Sequence, residues 1–477
     1  MPAPTQAGSS TRLLSWPVIA WGLWDWGSAA FNAVITTFVF TVYLVSDSFG
    51  AKADNESALS IGLAIAGLFI ALLAPVTGQR SDRAGRTVFW LGGYTAVVVG
   101  VSAALFLVRP EPGYLWLGIV LLGVGNTFFE LASVNYNAIL NHLASKDRIG
   151  AVSGLGWGMG YLGGIVLLLI LYVALVGPSP LISFPAGTGM GVRVAMLVSA
   201  AWFGLSALPV LINRSRKLEH SGADGSGEAS EGMTSAEPGR DRAGMESEPE
   251  DAASHNVERR ESFLTSYKLL WRTLLQLHNF QPRLLWFLLA AAVFRDGLAG
   301  VFTYGGIIAQ NTFGFSSGDV IIFAIVANIV AGIATIGAGR LDDRFGPRNV
   351  IMASLIILVV TGLLVFFLHT AGTVAFWVLG LLLSACVGPA QSAARSFLAR
   401  LIPEGQEGEI FGLYATTGRA VSFMAPMMYG IFIYLGTRVV GQGANYWGIL
   451  GIVTVLATGL LLMLRVGDPV SDEETAA

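Results

Sequence analysis

Six ionisable side chains stand inside apolar stretches where a charge is expensive: Asp25, Glu130, Arg295, Asp296, Arg395 and Arg419. At the middle of a bilayer each costs about 2.5–3.5 kcal/mol on insertion scales, so each should face water, a partner or a solute. Two kinds of chemistry suit them. A carboxylate that alternates between water and a dry contact takes up and releases protons, because burial penalises its charged form. Glu130, set among apolar neighbours, is the first candidate for proton coupling and Asp25 the second. Guanidinium groups bind anionic groups such as carboxylates through directional, charge-assisted hydrogen bonds, a role open to Arg295, Arg395 and Arg419. Arg295 and Asp296 are adjacent, so on a helix they project about 100° apart and cannot simply neutralise each other. The expectation is that Arg295 or Arg395 pairs with Asp25 or Glu130 across a cavity.

Helical spacing groups these charges with further polar residues. Asp25, Ser28, Asn32 and Thr36 share one face of a helix, as do Asn126, Glu130, Ser133 and Asn137. Ser384, Gly388, Gln391 and Arg395 form a third stripe, and Thr303 and Tyr304 follow Arg295 and Asp296 on a fourth helix. Trp26, next to Asp25, is a candidate to stack on a solute. The competing reading is that the Ser, Thr and Asn members bind helices together by hydrogen bonds and touch no solute.

The elements that carry these stripes are membrane spans. The chain has 477 residues, 54% hydrophobic and 12% charged, with a mean hydropathy of +0.65. Soluble domains have about 25% charged residues. Apolar segments near twenty residues recur throughout, each sufficient to cross a hydrocarbon core of about 30 Å. Twelve helices are expected, at 16–45, 58–78, 87–108, 114–140, 150–176, 191–212, 283–310, 318–338, 348–369, 373–400, 408–435 and 445–465. Trp16–Val45 reads as a retained first helix and not as a cleaved signal peptide. Lys and Arg concentrate in alternate connections, among them Arg12, Arg80, Arg148, Arg214, Arg216, Lys217 and Arg400, which places both termini in the cytoplasm. Trp16, Trp21, Trp24, Trp26, Trp116 and Trp447 read as partly interfacial anchors.

The segment Gly78-Gln79-Arg80-Ser81-Asp82-Arg83-Ala84-Gly85-Arg86 reads as a charged cytoplasmic loop. Gly78, Asp82, Arg83 and Gly85 return 261 positions later as Gly339, Asp343, Arg344 and Gly346. A second echo links Gly150-Ala151-Val152-Ser153-Gly154-Leu155 with Gly408-Glu409-Ile410-Phe411-Gly412-Leu413. The chain is therefore two parallel six-helix repeats. The expected domains are a bundle at 1–212, a disordered linker at 213–262, an amphipathic interfacial helix at 263–280, a second bundle at 281–466 and a tail at 467–477. The glycines at 154, 156, 158, 160, 163 and 164 read as close helix packing.

Twelve helices, a long central connection and a Gly-x-x-x-Asp-Arg-x-Gly-Arg motif, repeated in the second half up to its second glycine, resemble the major facilitator superfamily. Narrower features are similar to its vacuolar amino-acid effluxer-like branch, in bacterial form. The branch pattern Tyr-Asp-Trp-Ala-Asn-Ser-Ala-Phe appears here as Trp24-Asp25-Trp26-Gly27-Ser28-Ala29-Ala30-Phe31. Val152-Ser153-Gly154-Leu155-Gly156-Trp157, Gly160-Tyr161-Leu162-Gly163-Gly164, Ala394-Arg395-Ser396 and Phe411-Gly412-Leu413-Tyr414 also match. Trp24, Ser28, Ala29 and Arg295 depart from the branch, which has Tyr, Asn, Ser and Asn there. The resemblance implies that the first, fourth, seventh and tenth helices line a central cavity, the helices that carry the polar stripes. It also implies that Gly78, Asp82, Arg83, Gly85, Arg86, Gly339, Asp343, Arg344 and Gly346 latch the cytoplasmic side.

The expectation is an all-α membrane transporter working by rocker-switch alternating access. Its cargo would be a small solute, an amino acid first, with a coupling proton or other ion. The cavity set is Asp25, Trp26, Ser28, Asn32, Asn126, Glu130, Asn137, Arg295, Asp296, Gln391, Arg395 and Arg419. Competing readings are sugar or drug efflux on the same fold, and a sensor or scaffold that no longer transports. Five scattered histidines and the single Cys386 give no metal site, catalytic constellation or intramolecular disulfide. No phosphate-binding Gly-x-x-x-x-Gly-Lys-Ser/Thr motif is present, and no cofactor, enzymatic activity or nucleic-acid partner is expected. The expected setting is the plasma membrane, with the protein as a monomer.

Overall fold

The computed structural model describes residues 13–177, 179–185, 187–224, 272, 281–403, 405–441 and 443–467. Among these, twelve helical segments are long and apolar enough to cross a membrane. They are α1 (Trp16–Leu44), α2 (Asp54–Ala84), α3 (Thr87–Leu107), α4 (Pro112–Leu143), α5 (Lys146–Val176) and α6 (Met190–Ile212). After the central connection come α7 (Pro282–Phe313), α8 (Gly318–Phe345), α9 (Pro347–Phe367), α10 (Thr373–Leu401), α11 (Glu407–Val440) and α12 (Ala444–Leu464). The protein is an all-helical, multi-pass integral membrane protein, and each span falls on an expected segment.

Among the boundaries that differ from expectation, three change how a segment reads. The two charged motifs are mostly helical: α2 continues to Ala84 and α8 to Phe345. Charged side chains at the end of a span reach water without the backbone leaving the helix, so glycine sets the stop. Gly85 adopts φ 61° and Gly346 φ 84°, values that suit a residue without a Cβ. The helix of α6 continues beyond Ile212 as far as Asp224, into the segment expected to be a linker. Residues 225–262, the expected interfacial helix at 263–280 apart from Arg272, the tail beyond Gly467, and Arg12 lie outside the described residues.

The same packing pattern occurs in both halves. In the first, α1 packs on α5 and α6, α2 on α4, and α3 on α4 and α6. In the second, α7 packs on α11 and α12, α8 on α10, and α9 on α10 and α12. The halves meet mainly where α2 crosses α11 and α5 crosses α8.

Glycines bring the backbones together at both crossings. A Cβ on Gly412 would lie 2.6 Å from the Ala74 carbonyl oxygen, and one on Gly154 would lie 2.7 Å from that of Thr335. Gly339 faces the Gly150 carbonyl in the same way, at 2.7 Å. Gly163 and Gly164 instead meet α1 at Trp26 and Ala29, so the glycine run of α5 serves two contacts.

Two spans change character partway along. Helix α1 is α-helical over Trp16–Ala29 and π-helical over Ala30–Phe38. Helix α11 is interrupted between Val421 and Met424. Such breaks are tolerated at depth only where other groups satisfy the freed backbone.

Candidate functional site

A cavity of about 1250 Å³ lies between the halves. Its lining runs from Asn137 and Arg395 out to Phe38, Gln310, Val320 and Phe376. These outer residues lie toward the helix ends remote from Gly85 and Gly346, so the cavity extends away from the charged motifs. Asp25, Ser28, Asn32 and Thr36 of α1 all line it, as do Glu130, Ser133 and Asn137 of α4. Helix α7 contributes Arg295 and Thr303, and α10 contributes Ser384, Gln391 and Arg395.

At the inner end Arg395 joins the two halves. Its Nη1 donates to Asp25 Oδ2 at 3.2 Å and to Asn137 Oδ1 at 3.4 Å. Its Nε reaches Ser153 Oγ at 3.0 Å, and its Nη2 reaches the Ser153 carbonyl at 2.6 Å. Tyr136 donates a further hydrogen bond to Asp25 Oδ2 at 2.9 Å. The guanidinium also lies 4.8 Å from the centre of the Trp21 ring. Only 4% of Arg395 is exposed, so a buried guanidinium has most of its donors engaged, as burial requires. Gly156 leaves the room for this arrangement: a Cβ there would sit 2.9 Å from Asp25 Oδ2 and 3.0 Å from Arg395 Nη2.

A second pair also spans the halves. Arg419, in the last turn before the break in α11, donates to Glu130 on α4. Its charge suits that helix end, where carbonyl dipoles converge. The expected partners for the carboxylates were Arg295 or Arg395, so one pair falls within expectation and the other brings in Arg419. Arg295 lies 4.1 Å from the centre of the Tyr414 ring and donates to the Tyr414 carbonyl at 3.3 Å.

Four expected cavity residues lie outside the lining. Asp296 is buried, and its Oδ2 accepts the Ala425 N–H at 2.6 Å, at the start of the second segment of α11. A carboxylate there satisfies a donor freed by the break and opposes the positive end of the helix dipole. Trp26 stacks on Trp202 of α6 with ring centres 5.9 Å apart. It follows Asp25 in sequence and so faces about 100° away from it. Asn126 lies one turn beyond Glu130, where Phe31 covers Gly125 and stacks on Phe129 at 5.1 Å. Arg419 reaches Glu130 from beside the lining.

The tryptophan reading also changes. Trp16 and Trp116 are exposed, as anchors would be, but Trp21 and Trp24 are buried. Trp24 stacks on Tyr136 at 4.3 Å and donates to Thr95 Oγ1 at 3.1 Å. Trp21 donates to the Tyr136 carbonyl at 3.1 Å. Tyr136, Ser153, Tyr161 and Tyr414 take part in the site, yet no stripe identified them. Tyr161 donates to Gln391 Oε1 at 3.0 Å. Its match to the resemblance motif on α5 was the available signal.

At the end bearing the charged motifs, Asp82 and Asp343 make equivalent contacts. Asp82 accepts the Gly408 and Glu409 N–H groups at 2.8 and 2.9 Å, at the start of α11. Asp343 accepts those of Gly150 and Ala151 at 2.7 and 2.9 Å, near the start of α5. Each aspartate thus joins its own half to a helix N-terminus of the other. Arg400 donates to Asp343 at 2.9 Å, to Asp342, and to the Lys146 carbonyl at 3.1 Å.

The family described as vacuole effluxer Atg22 like matches residues 43–467. The MFS-type transporter YxiO of Bacillus subtilis (strain 168) is 24% identical over 95% of both chains. Autophagy-related protein 22-1 of Aspergillus fumigatus is 23% identical over 66% of this chain, which spans about half (48%) of that relative. Among solved structures, the proton:xylose symporter XylE has a TM-score of 0.66 at 13% identity, covering 95% of this chain and 96% of its own. A bacterial homologue of the iron transporter ferroportin, in an outward-facing state, has a TM-score of 0.62 at 13% identity, covering 95% of this chain and 99% of its own. These likenesses show the major facilitator fold.

Proposed function

The chain belongs to the vacuole effluxer Atg22-like family, and from that premise we propose a secondary transporter that carries a small solute through the central cavity by rocker-switch alternating access. Asp25, Glu130, Arg295 and Arg395 are the charged groups at the cavity, with Arg419 behind Glu130. The polar residues Ser28, Asn32, Asn137 and Gln391 complete the solute path. Its cargo class is open among amino acids, sugars and drugs. The protein works as a monomer in the plasma membrane with both termini cytoplasmic. The two charged motifs then form the cytoplasmic gate, latched in this conformer while the cavity extends outward. Asp296 braces the broken helix and leaves the solute path.

The observation that carries this reading is the pairing of charges between halves: Asp25 with Arg395, and Glu130 with Arg419. When the halves rock apart on one side, such pairs change their solvation. A carboxylate whose solvation changes with conformation couples protons to that motion. Glu130 is the stronger candidate because its pair is the less buried of the two, with side chains 24% and 32% exposed, and so has access to protons. The proton symporter XylE, which shares this fold, is a precedent for such coupling.

The test is solute uptake into proteoliposomes under an imposed pH gradient. Glu130→Gln should abolish gradient-driven accumulation while preserving exchange of solute down its own gradient. Accumulation that survives the substitution removes Glu130 from coupling. Absence of both accumulation and exchange for every solute class in the wild-type protein favours the sensor or scaffold.

A further inference from the structure

Among the described residues, the cavity holds one cation that no carboxylate answers. Among the described residues, the charged groups lining it are Asp25, Glu130, Arg295 and Arg395. Asp25 is taken by Arg395, and Glu130 by Arg419 from behind the lining. Asp296 follows Arg295 in sequence but is turned to the Ala425 N–H. Arg295 makes its hydrogen bond to the Tyr414 carbonyl, at 3.3 Å, and its guanidinium lies over the Tyr414 ring. A ring quadrupole attracts a cation but does not cancel its charge. A guanidinium has five N–H donors, and its planar fork matches a carboxylate.

Resting on the transporter reading above, we propose that the cargo is an organic anion whose carboxylate is received by Arg295 and not offset by an ammonium group. The same pairings argue against a zwitterion. An ammonium in this cavity would meet no free carboxylate, because both carboxylates that line it are engaged by arginines. A net negative solute instead completes the electrostatics of the cavity, and an uncompensated guanidinium at membrane depth is explained. The neighbouring walls select the rest of the molecule. Phe302, Phe411, Val301 and Ile452 line the same cavity as Arg295 and offer apolar surface. The cargo therefore combines a carboxylate with an apolar body.

Three probes share one apolar body and differ in net charge: N-acetyl-L-phenylalanine (anion), L-phenylalanine (zwitterion) and L-phenylalaninamide (cation). Binding to the purified wild-type protein should follow that order, with the anion tightest. Arg295→Gln should weaken the anion by about tenfold or more, the effect of losing a charge-assisted hydrogen bond, and leave L-phenylalaninamide, which has no carboxylate, nearly unchanged. Arg295→Lys should recover part of the loss. Zwitterion binding as tight as anion binding overturns the proposal, as does failure of all three probes or unchanged anion binding in Arg295→Gln. The wild-type series decides the matter even if Arg295→Gln does not fold. Counterflow of labelled sugars and dipeptides in the same preparation separates the two readings. Counterflow of such a neutral solute without anion preference defeats the anionic cargo and preserves the transporter. No counterflow of any solute, anions included, defeats both.

Discussion

The crossing of α2 with α11 and the crossing of α5 with α8 share one backbone plan but differ in electrostatics. In each, glycines bring two helices into backbone contact, and an aspartate accepts two N–H groups from the start of a helix in the other half. At α5–α8 the residue before that aspartate is Asp342, only 2% exposed, and Arg400 ties both carboxylates together. Ser396 donates to Asp342 as well. At α2–α11 the corresponding residue is Ser81, whose hydroxyl donates to Asn135 Oδ1 at 2.6 Å. The neighbours of Asp82 there include two buried glutamates, Glu407 and Glu409, and Glu409 Oε1 has no hydrogen-bond partner among the described residues. Among the described residues, Asp343 stands in an ion-paired network, whereas Asp82 is held by helix-end donors amid acidic neighbours. In the proposed transport cycle, α2–α11 is therefore the crossing that should yield first.

The largest expected effect tests the ion-paired side. Arg400→Ala leaves Asp342 and Asp343 without their cation in a setting where Arg400 is 9% exposed. Breaking a buried pair by removing one partner costs about 3–5 kcal/mol. The purified protein should melt at a clearly lower temperature than wild type. A labelling probe on α5 or α8 should also report an opened crossing. An unchanged melting temperature would mean that the network contributes little and that the two crossings are equivalent.

The glycine contacts should behave alike at both crossings, which makes them the control. Gly412→Val would push a side chain into the Ala74 carbonyl and the Pro75 Cα, each 2.6 Å from the new Cβ. Gly154→Val would meet the Thr335 carbonyl at 2.7 Å and the Gly339 Cα at 3.0 Å. Overpacking costs about 1–3 kcal/mol, and relief is available here by separating the halves. Both variants should lose stability by similar amounts and make a cysteine introduced at the end bearing the charged motifs more accessible to thiol reagents. A large difference between them would locate the asymmetry in the backbone contacts and not in the charges.

The fold was legible because long apolar runs and the positions of arginine are signals carried within single helices. The stripe on α1 lines the cavity in full and those on α4, α7 and α10 in part, since helical periodicity identifies a face without knowledge of its neighbour. What escaped was whatever depends on the neighbour. Tyr136 and Ser153 meet the buried pair only because α1, α4, α5 and α10 converge on it. Asp296 looked like a cavity charge, and only the break in α11 shows where its carboxylate goes. The two motifs read as loops because charge signals exposure but not secondary structure. Glycine marks their true ends.

The smallest expected effect is the most specific. Asp82→Asn keeps an oxygen that can accept one of the two N–H bonds from Gly408 and Glu409 but removes the charge. Charge–dipole interactions at a helix end contribute about 0.3–1 kcal/mol, and here repulsion from Glu407 and Glu409 offsets part of that. Stability should hardly change. Asp343→Asn should destabilise more, because it also leaves Arg400 with one carboxylate fewer. Asp82 lies at the end of α2, whereas the cavity extends away from that end, so its loss should alter the transport rate and not the solute affinity. A large affinity loss at unchanged rate in Asp82→Asn would couple this crossing directly to the cargo site, and α2–α11 would then be part of the solute path.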